Sequence, residues 1–210
     1  MSYFSLQNTT IRTVRKQHSL TKGKIIGRGA FSVVFSHTKN SVMKITCDSG
    51  GYYSLSDGVI ALEGEHFPKL IKNYGDIGGP KDDYIYMMEI ERLAPLSKAS
   101  KATRKDAEML VALFRESRQY NAGCKYPLAG GTCWEVLKNI TVELEKYRED
   151  LTTLYDFVIN FNVIMDVTMQ NLMVRNAGKD NETLIFNDLV VDKDQLDSLN
   201  KWRKAQYAKY

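Results

Sequence analysis

Lys44, Asp166, Asn171 and Asp188 are the residues whose types and settings could do chemistry together. Lys44 follows Val42-Met43 in a β-rich run. A lysine alternating inward between apolar neighbours is costly to bury unless it meets an anion, and as a point charge it suits nucleotide phosphates. The bland alternative is an edge-strand lysine facing solvent. In the segment Asp166-Val167-Thr168-Met169-Gln170-Asn171, directly before the β run Leu172-Met173-Val174, an acid and an amide share one loop. The acid can orient or deprotonate an acceptor hydroxyl, and the amide oxygen can ligate Mg2+. Alone, both would be ordinary turn residues. Asp188 closes a second β run at Phe186-Asn187-Asp188 and can hold an Mg2+ that bridges phosphates, or simply serve a turn. The chemistry common to the four is phosphoryl transfer.

A glycine-rich segment, Gly27-Arg28-Gly29-Ala30-Phe31-Ser32-Val33-Val34, precedes the lysine. Glycines there can bring backbone N–H groups close to phosphate oxygens, although a glycine pair between strands is otherwise a plain hairpin.

The elements that must position these residues follow from periodicity. Residues 1–20 are polar and weakly patterned, and Arg12, Arg15, Lys16 and Lys22 read as a solvated edge. Ile25 and Ile26, then Phe31 to Phe35, then 41–46 predict three antiparallel strands, with a turn at Thr38-Lys39-Asn40. Ser49-Gly50-Gly51 breaks the pattern, and a short helix is expected over 52–62. Strands are expected at 67–74 and 84–88. Beyond Pro95 the pattern turns helical: 98–120, with Ala107, Leu110, Val111 and Phe114 on one face, then 134–147 and 151–160, with a loop at 123–132. Two β pieces at 172–175 and 183–186 and a polar helix at 193–210 complete the chain. Strands first and helices after imply an α+β, two-lobed protein: 1–92 with five strands, one helix and a hinge at 88–92, then 93–210 as a short helical half carrying both acid loops.

The 210 residues are 43% hydrophobic and 26% charged, which suffices for two small cores and excludes a disordered chain. A net charge of +4 favours anionic ligands such as nucleotides. No zinc-finger spacing or RNA-binding aromatic segment accompanies it, so direct nucleic-acid binding is not expected. Cys47, Cys124 and Cys133 are scattered without a Cys-x-x-Cys pair, as free thiols in a reducing cytosol would be. No apolar run predicts a membrane span, and residues 1–14 lack the basic-then-apolar order of a signal peptide.

The order glycine loop, strand lysine, paired strands, helix, Asp-x-x-x-x-Asn, β run, Asp resembles that of protein kinases. Residues 24–46 look like the kinase glycine loop and the strands after it. His66-Phe67-Pro68-Lys69-Leu70 resembles the approach to the kinase fourth strand, and 84–93 the last strand and hinge. More narrowly, the chain resembles the early serine/threonine protein kinases of autographivirus bacteriophages (T-odd podoviruses). That likeness rests on the Gly-x-Gly-x-Phe-Ser loop, Phe35-Ser36-His37, the compact lysine strand, Ser49-Gly50-Gly51 and an acid loop without His-Arg, and it covers about residues 23–192.

The resemblance implies a two-lobed protein-kinase-like fold with a five-stranded antiparallel N-lobe and a reduced helical C-lobe. It implies ATP and Mg2+ as cofactors, host proteins as substrates or targets, and the host cytoplasm as location. Lys44 and Asp166 would be catalytic, and Gly27, Gly29, Phe31 and Ser32 would cover the phosphates. Val34, Val42 and Met173 would sandwich the adenine, with Met88 behind it and backbone groups of Glu89 and Glu91 at its edge. Asn171 and Asp188 would hold Mg2+, and Asp57 or Glu63 would pair with Lys44.

Departures from the family pattern keep two other readings open. Ile164-Met165 stand where His-Arg precedes the acid, Thr168 stands where many kinases carry a lysine, and Leu189-Val190 follow Asp188 in place of Phe-Gly. The 22 residues after Asp188 (210 − 188) are too few for a full activation segment, so a protein substrate would have to dock differently. The alternatives are a pseudokinase-type binding protein that inhibits a host enzyme, and a small-molecule phosphotransferase of the aminoglycoside-kinase sort, in which Ile164 would replace the usual histidine.

Overall fold

A computed structural model describes residues 8–17, 20, 23–56, 61–78, 84–120 and 129–207. In chain order the first elements are α1 (Asn8–Gln17), β1 (Ile25–Arg28), β2 (Ser32–Ser36), β3 (Ser41–Thr46), α2 (Ser49–Ser56), β4 (Leu70–Asp76), β5 (Tyr86–Glu91) and β6 (Ala94–Pro95). There follow α3 (Lys101–Tyr120), α4 (Ala129–Lys138), α5 (Arg148–Asn160), β7 (Val163–Met165), β8 (Leu172–Arg175), β9 (Thr183–Phe186), β10 (Val190–Asp192) and α6 (Lys193–Tyr207). The protein is α+β. Two compact units form, one from Met1–Tyr52, Lys69–Arg92 and Asp192–Tyr210, the other from Tyr53–Pro68 and Leu93–Val191. Among the described residues no helix is long and apolar enough to cross a membrane.

The first unit is built on a five-stranded antiparallel sheet in the order β1-β2-β3-β5-β4. Side chains alternate between its faces. Val33, Phe35, Met43, Ile45, Ile85 and Met87 line one face, where Val14 of α1 and Leu20 cover them. Residues 8–17 are therefore a helix rather than the loose polar edge that the sequence suggests. Arg15 fastens the chain after it, donating to the carbonyls of Leu20 (3.3 Å) and Gly23 (2.9 Å).

The helix expected at 52–62 starts earlier, at Ser49, and ends at Ser56. Its first turn holds the two glycines that look like a break in the sequence. The buried Asp48 offsets their poor propensity as an N-cap, its Oδ1 accepting the Gly50 N–H at 3.1 Å. The same oxygen accepts the Asp192 N–H at 2.9 Å, and Asp192 accepts the Ser49 hydroxyl at 2.6 Å and the Gln195 N–H at 3.0 Å. Two helix starts, α2 and α6, thus share one carboxylate network within this unit. The predicted strands at 67–74 and 84–88 lie further along, at Leu70–Asp76 and Tyr86–Glu91.

In the second unit, α3 buries Ala107, Leu110, Val111 and Phe114, the stripe expected from the sequence. Cys133, Val136 and Leu137 of α4 join the same core, as do Leu151, Leu154, Phe157 and Val158 of α5. The helix expected at 134–147 is two elements. It starts at Ala129, inside the segment expected to be a loop, and stops at Lys138, where Asn139 turns its side chain back onto the Glu135 carbonyl at 2.8 Å. A 3-10 stretch, Val142–Tyr147, then leads into α5.

Two small sheets lie on these helices: β6-β8-β9, and β7 paired with β10. Residues 61–68 belong to this unit through a buried pair that the sequence does not signal. His66 Nδ1 lies 2.5 Å from Asp150 Oδ2, and its backbone N–H donates to the same oxygen at 2.9 Å. Phe186 N–H donates to the His66 carbonyl (2.7 Å), and Arg175 donates to the carbonyls of Glu65 (2.6 Å) and Phe67 (2.9 Å). Gly64 permits this approach, because a Cβ there would lie 1.8 Å from Asp150 Oδ1.

Candidate functional site

The sequence-derived site residues fall into two groups, one in each unit. In the first unit, β3 is flanked by β2 on one side and β5 on the other, so Lys44 is not an edge residue. It pairs with Val34 of β2 and Met88 of β5 and is 4% exposed. Strand alternation puts Val42 on its face as well, beside Ser36 and Ile90 in the register. Lys44, Val34, Val42 and Met88 therefore share one face of the sheet. This is the face opposite the one that α1 covers.

The glycine segment is a tight hairpin. Gly27 pairs with Val34, Arg28 with Val33, and the Gly29 N–H donates to the Ser32 carbonyl at 2.9 Å. Neither glycine has a left-handed φ. A Cβ would meet Val34 Cβ at 3.5 Å from Gly27, and Ser32 Oγ at 3.4 Å from Gly29, both ordinary contacts. The hairpin itself thus has no need of glycine at either position. What glycine supplies is bare backbone, which matters where another molecule approaches closely.

Two expectations for this unit change, and a third falls partly outside the described residues. Phe31 is half-buried against the core under α1, and its carbonyl accepts the Cys47 N–H at 3.0 Å. Its ring therefore serves that core. Glu89 and Glu91 lie inside β5, with both strand edges paired, and the Glu91 N–H is donated to the Lys69 carbonyl at 3.0 Å. That amide is not free to meet an adenine edge. The reason is that the strand runs three residues past Met88, where the sequence reading ended it. Of the two acids considered for Lys44, Asp57 lies outside the described residues. Glu63 is exposed and follows α2 rather than ending it.

The second group is held by two nested strand pairs. β8 and β9 pair antiparallel, with Leu172 opposite Phe186, while β7 pairs with β10. The link from β7 to β8 carries Asp166 and Asn171, and the link from β9 to β10 carries Asp188. Pairing at both ends draws the two links together. Asp166 N–H donates to the Leu189 carbonyl (2.7 Å), and Asn187 N–H to the Asn171 carbonyl (2.9 Å). Asn171 Nδ2 donates to the Asp166 carbonyl oxygen at 2.7 Å and to its carboxylate Oδ2 at 2.9 Å. The amide oxygen of Asn171 takes no part in that pair. Met173 is half-buried between the core residues Leu172 and Val174, on the opposite side of β8 from them.

Asp188 has φ +57, the left-handed region that an aspartate tolerates better than most residues but still at a cost. Such a conformation persists only where neighbours impose it, here the strands on either side.

The donor set suits Mg2+. That ion takes hard oxygen ligands and is usually bound by one or two carboxylates, with substrate phosphates and water completing the octahedron. Asp188 and the Asn171 amide oxygen are the groups that would supply such a partial set. Among the described residues no three His, Cys, Asp or Glu side chains group as an all-protein metal site.

Cys47 and Cys133 are buried, and burial pushes the Cys133 thiol up to about 12, partly offset by the nearby Arg118 guanidinium. Its sulfur lies 3.8 Å from Met165 Sδ, behind Asp166, where it acts as packing. Cys124 is outside the described residues. Two residues of this region carry no signal in the sequence: Asp150, which joins His66 across 84 positions, and Arg118, which donates to the Met165 carbonyl. No protein-family model matches the chain, and no curated protein sequence matches it either.

Proposed function

We propose that the chain is an ATP-dependent phosphotransferase with a two-lobed, protein-kinase-like arrangement, acting on serine or threonine hydroxyls of host proteins as a bacteriophage kinase. The observation that carries the reading is the corner formed by Asp166, Asn171 and Asp188, where two nested strand pairs bring together an acid, an amide and a strained second acid. The buried Lys44 with Val34, Val42 and Met88, and a hairpin whose glycines the fold does not require, support the nucleotide half.

On this reading Lys44 neutralises non-transferred phosphates, and the bare backbone of Gly27 and Gly29 lies over them. Asp188 and Asn171 would hold Mg2+, which when bound would supply charge neutralisation for the transferred phosphate. Asp166 accepts the proton of the acceptor hydroxyl as its oxygen bonds to the γ-phosphorus, and the bond from that phosphorus to the β-phosphate oxygen breaks to release ADP.

One observation favours a second reading, a phosphotransferase for a small acceptor. β10 begins two residues after Asp188 and runs directly into α6, so residues 189–207 form no separate activation segment. The experiment is incubation of the purified protein with γ-labelled ATP, alone, with bacterial extract and with a panel of hydroxylated small molecules. Labelled protein bands that vanish with Asp166→Asn support the protein kinase. Label confined to small molecules supports the second reading. Mg·ATP binding with no transfer to any acceptor indicates a pseudokinase.

A further inference from the structure

The peptide unit that leads into Asp166 is held at both ends. Its N–H, that of Asp166, donates to the Leu189 carbonyl at 2.7 Å. Its C=O, that of Met165, accepts from the Arg118 guanidinium, which arrives from the last turn of α3. Met165 is 4% exposed, so its carbonyl needs a protein partner. Among the described residues β7 has a strand neighbour only in β10, and on its other edge the Met165 carbonyl is met by Arg118. α3 also packs on the 3-10 turn Met169–Asn171, and α4 packs on β7.

We propose that Arg118 is a positioning residue for the reaction, clamping the Met165–Asp166 peptide plane so that the Asp166 carboxylate keeps its direction beside Asn171. The inference rests on the phosphotransferase reading. A peptide plane with one end released rotates about the flanking φ and ψ bonds, and a carboxylate carried on it moves with it. The acceptor at the opposite end is the Leu189 carbonyl, next to Asp188, so the clamp ties the acid loop to the metal loop within one unit. Lysine at 118 loses the planar fork but keeps a charged donor, which is all that a single carbonyl requires.

The test compares wild type with Arg118→Met and Arg118→Lys in phosphoryl transfer, Mg·ATP affinity and amide hydrogen exchange. In Arg118→Met, kcat is expected to fall about 100-fold, the scale of a misplaced reacting group. The Kd for Mg·ATP should stay within about twofold while Arg118→Lys recovers most of the rate. Exchange at the Asp166 amide should rise about tenfold, the scale of one net hydrogen bond, while that at Ile45 stays unchanged.

An unchanged kcat and unchanged Asp166 exchange in Arg118→Met overturn the proposal. So does an equal loss of rate and nucleotide affinity that lysine does not relieve, which marks a residue needed only for folding. Should Arg118→Met fail to fold, Arg118→Ala, which likewise removes the donor to the carbonyl, is judged by the same outcomes. Absence of transfer by wild type counts against the phosphotransferase reading itself, and the exchange measurement then still decides whether Arg118 clamps the peptide.

Discussion

Asn171 reaches back along its own loop to Asp166 and donates its side-chain amide to both the carbonyl oxygen, at 2.7 Å, and the carboxylate, at 2.9 Å. One side chain thereby fixes the acid's backbone and its head group and commits its nitrogen to the acid, leaving its oxygen as the atom suited to a cation. Asn171→Ala removes both functions. The Mg2+ concentration for half-maximal transfer is expected to rise at least about tenfold, since even outer partners of metal ligands cost that much. Titration of activity against Mg2+ checks it, and an unchanged midpoint would separate Asn171 from the metal.

Asp188 allows conformation and chemistry to be separated. Asparagine tolerates the left-handed region, so Asp188→Asn should unfold within about 2 °C of wild type, whereas Asp188→Ala should lose about 1 kcal/mol. Both should lose Mg2+-dependent nucleotide binding. Thermal unfolding and calorimetric titration measure the two effects, and Mg·ATP binding retained by Asp188→Asn counts against a metal role.

Glu182 provides a pH signature for the second unit. Its carboxylate accepts the N–H of Gly178 (2.7 Å), the Thr103 hydroxyl (2.6 Å) and the N–H of Ser100 (2.9 Å). These bonds, led by that from Gly178, lower it from 4.5 to about 2. A carboxylate depressed in the folded state stabilises fully above its unfolded value and loses that contribution as pH falls towards the folded one. The Tm difference between wild type and Glu182→Gln should therefore be constant above pH 5 and shrink between about pH 4.5 and 2. Parallel curves throughout would remove Glu182 from the acid response.

Gly64 tests the buried pair that fixes residues 61–68. A methyl group would overlap Asp150 Oδ1, 1.8 Å from its carbon, and would force the carboxylate off His66. Gly64→Ala is expected to cost about 3 kcal/mol, the scale for breaking a buried hydrogen-bonded pair. Urea unfolding monitors it, and a midpoint equal to that of wild type would show that Asp150 can move without loss.

Strands β2, β3, β8 and β9 stand at the residues where alternation and turn signals put them, because local pattern and tertiary pairing agree there. The helix stripe Ala107, Leu110, Val111 and Phe114 was legible for the same reason. The start of α2 escapes periodicity because a cap from Asp48 outweighs glycine propensity, and a cap acts through one side chain that periodicity does not weigh. β7 and β10, three residues each, are too short for any pattern and exist through mutual pairing. The candidate residues themselves were readable as types in an order. Their supports, His66 with Asp150 and Arg118 with Met165, were not, since each joins positions that only the folded chain brings together.

The proposed function requires Lys44 and the Asp188 corner to serve one nucleotide. An acyl-phosphate derivative of ATP tests it: an amine beside the phosphates attacks the acyl carbon, forms an amide and releases ATP. Mass spectrometry should find the acyl group on Lys44, suppressed by excess Mg·ATP and lost in Asp188→Asn. Label spread over exposed lysines with Lys44 unmodified, or equal labelling of Lys44 in wild type and Asp188→Asn, would contradict the account.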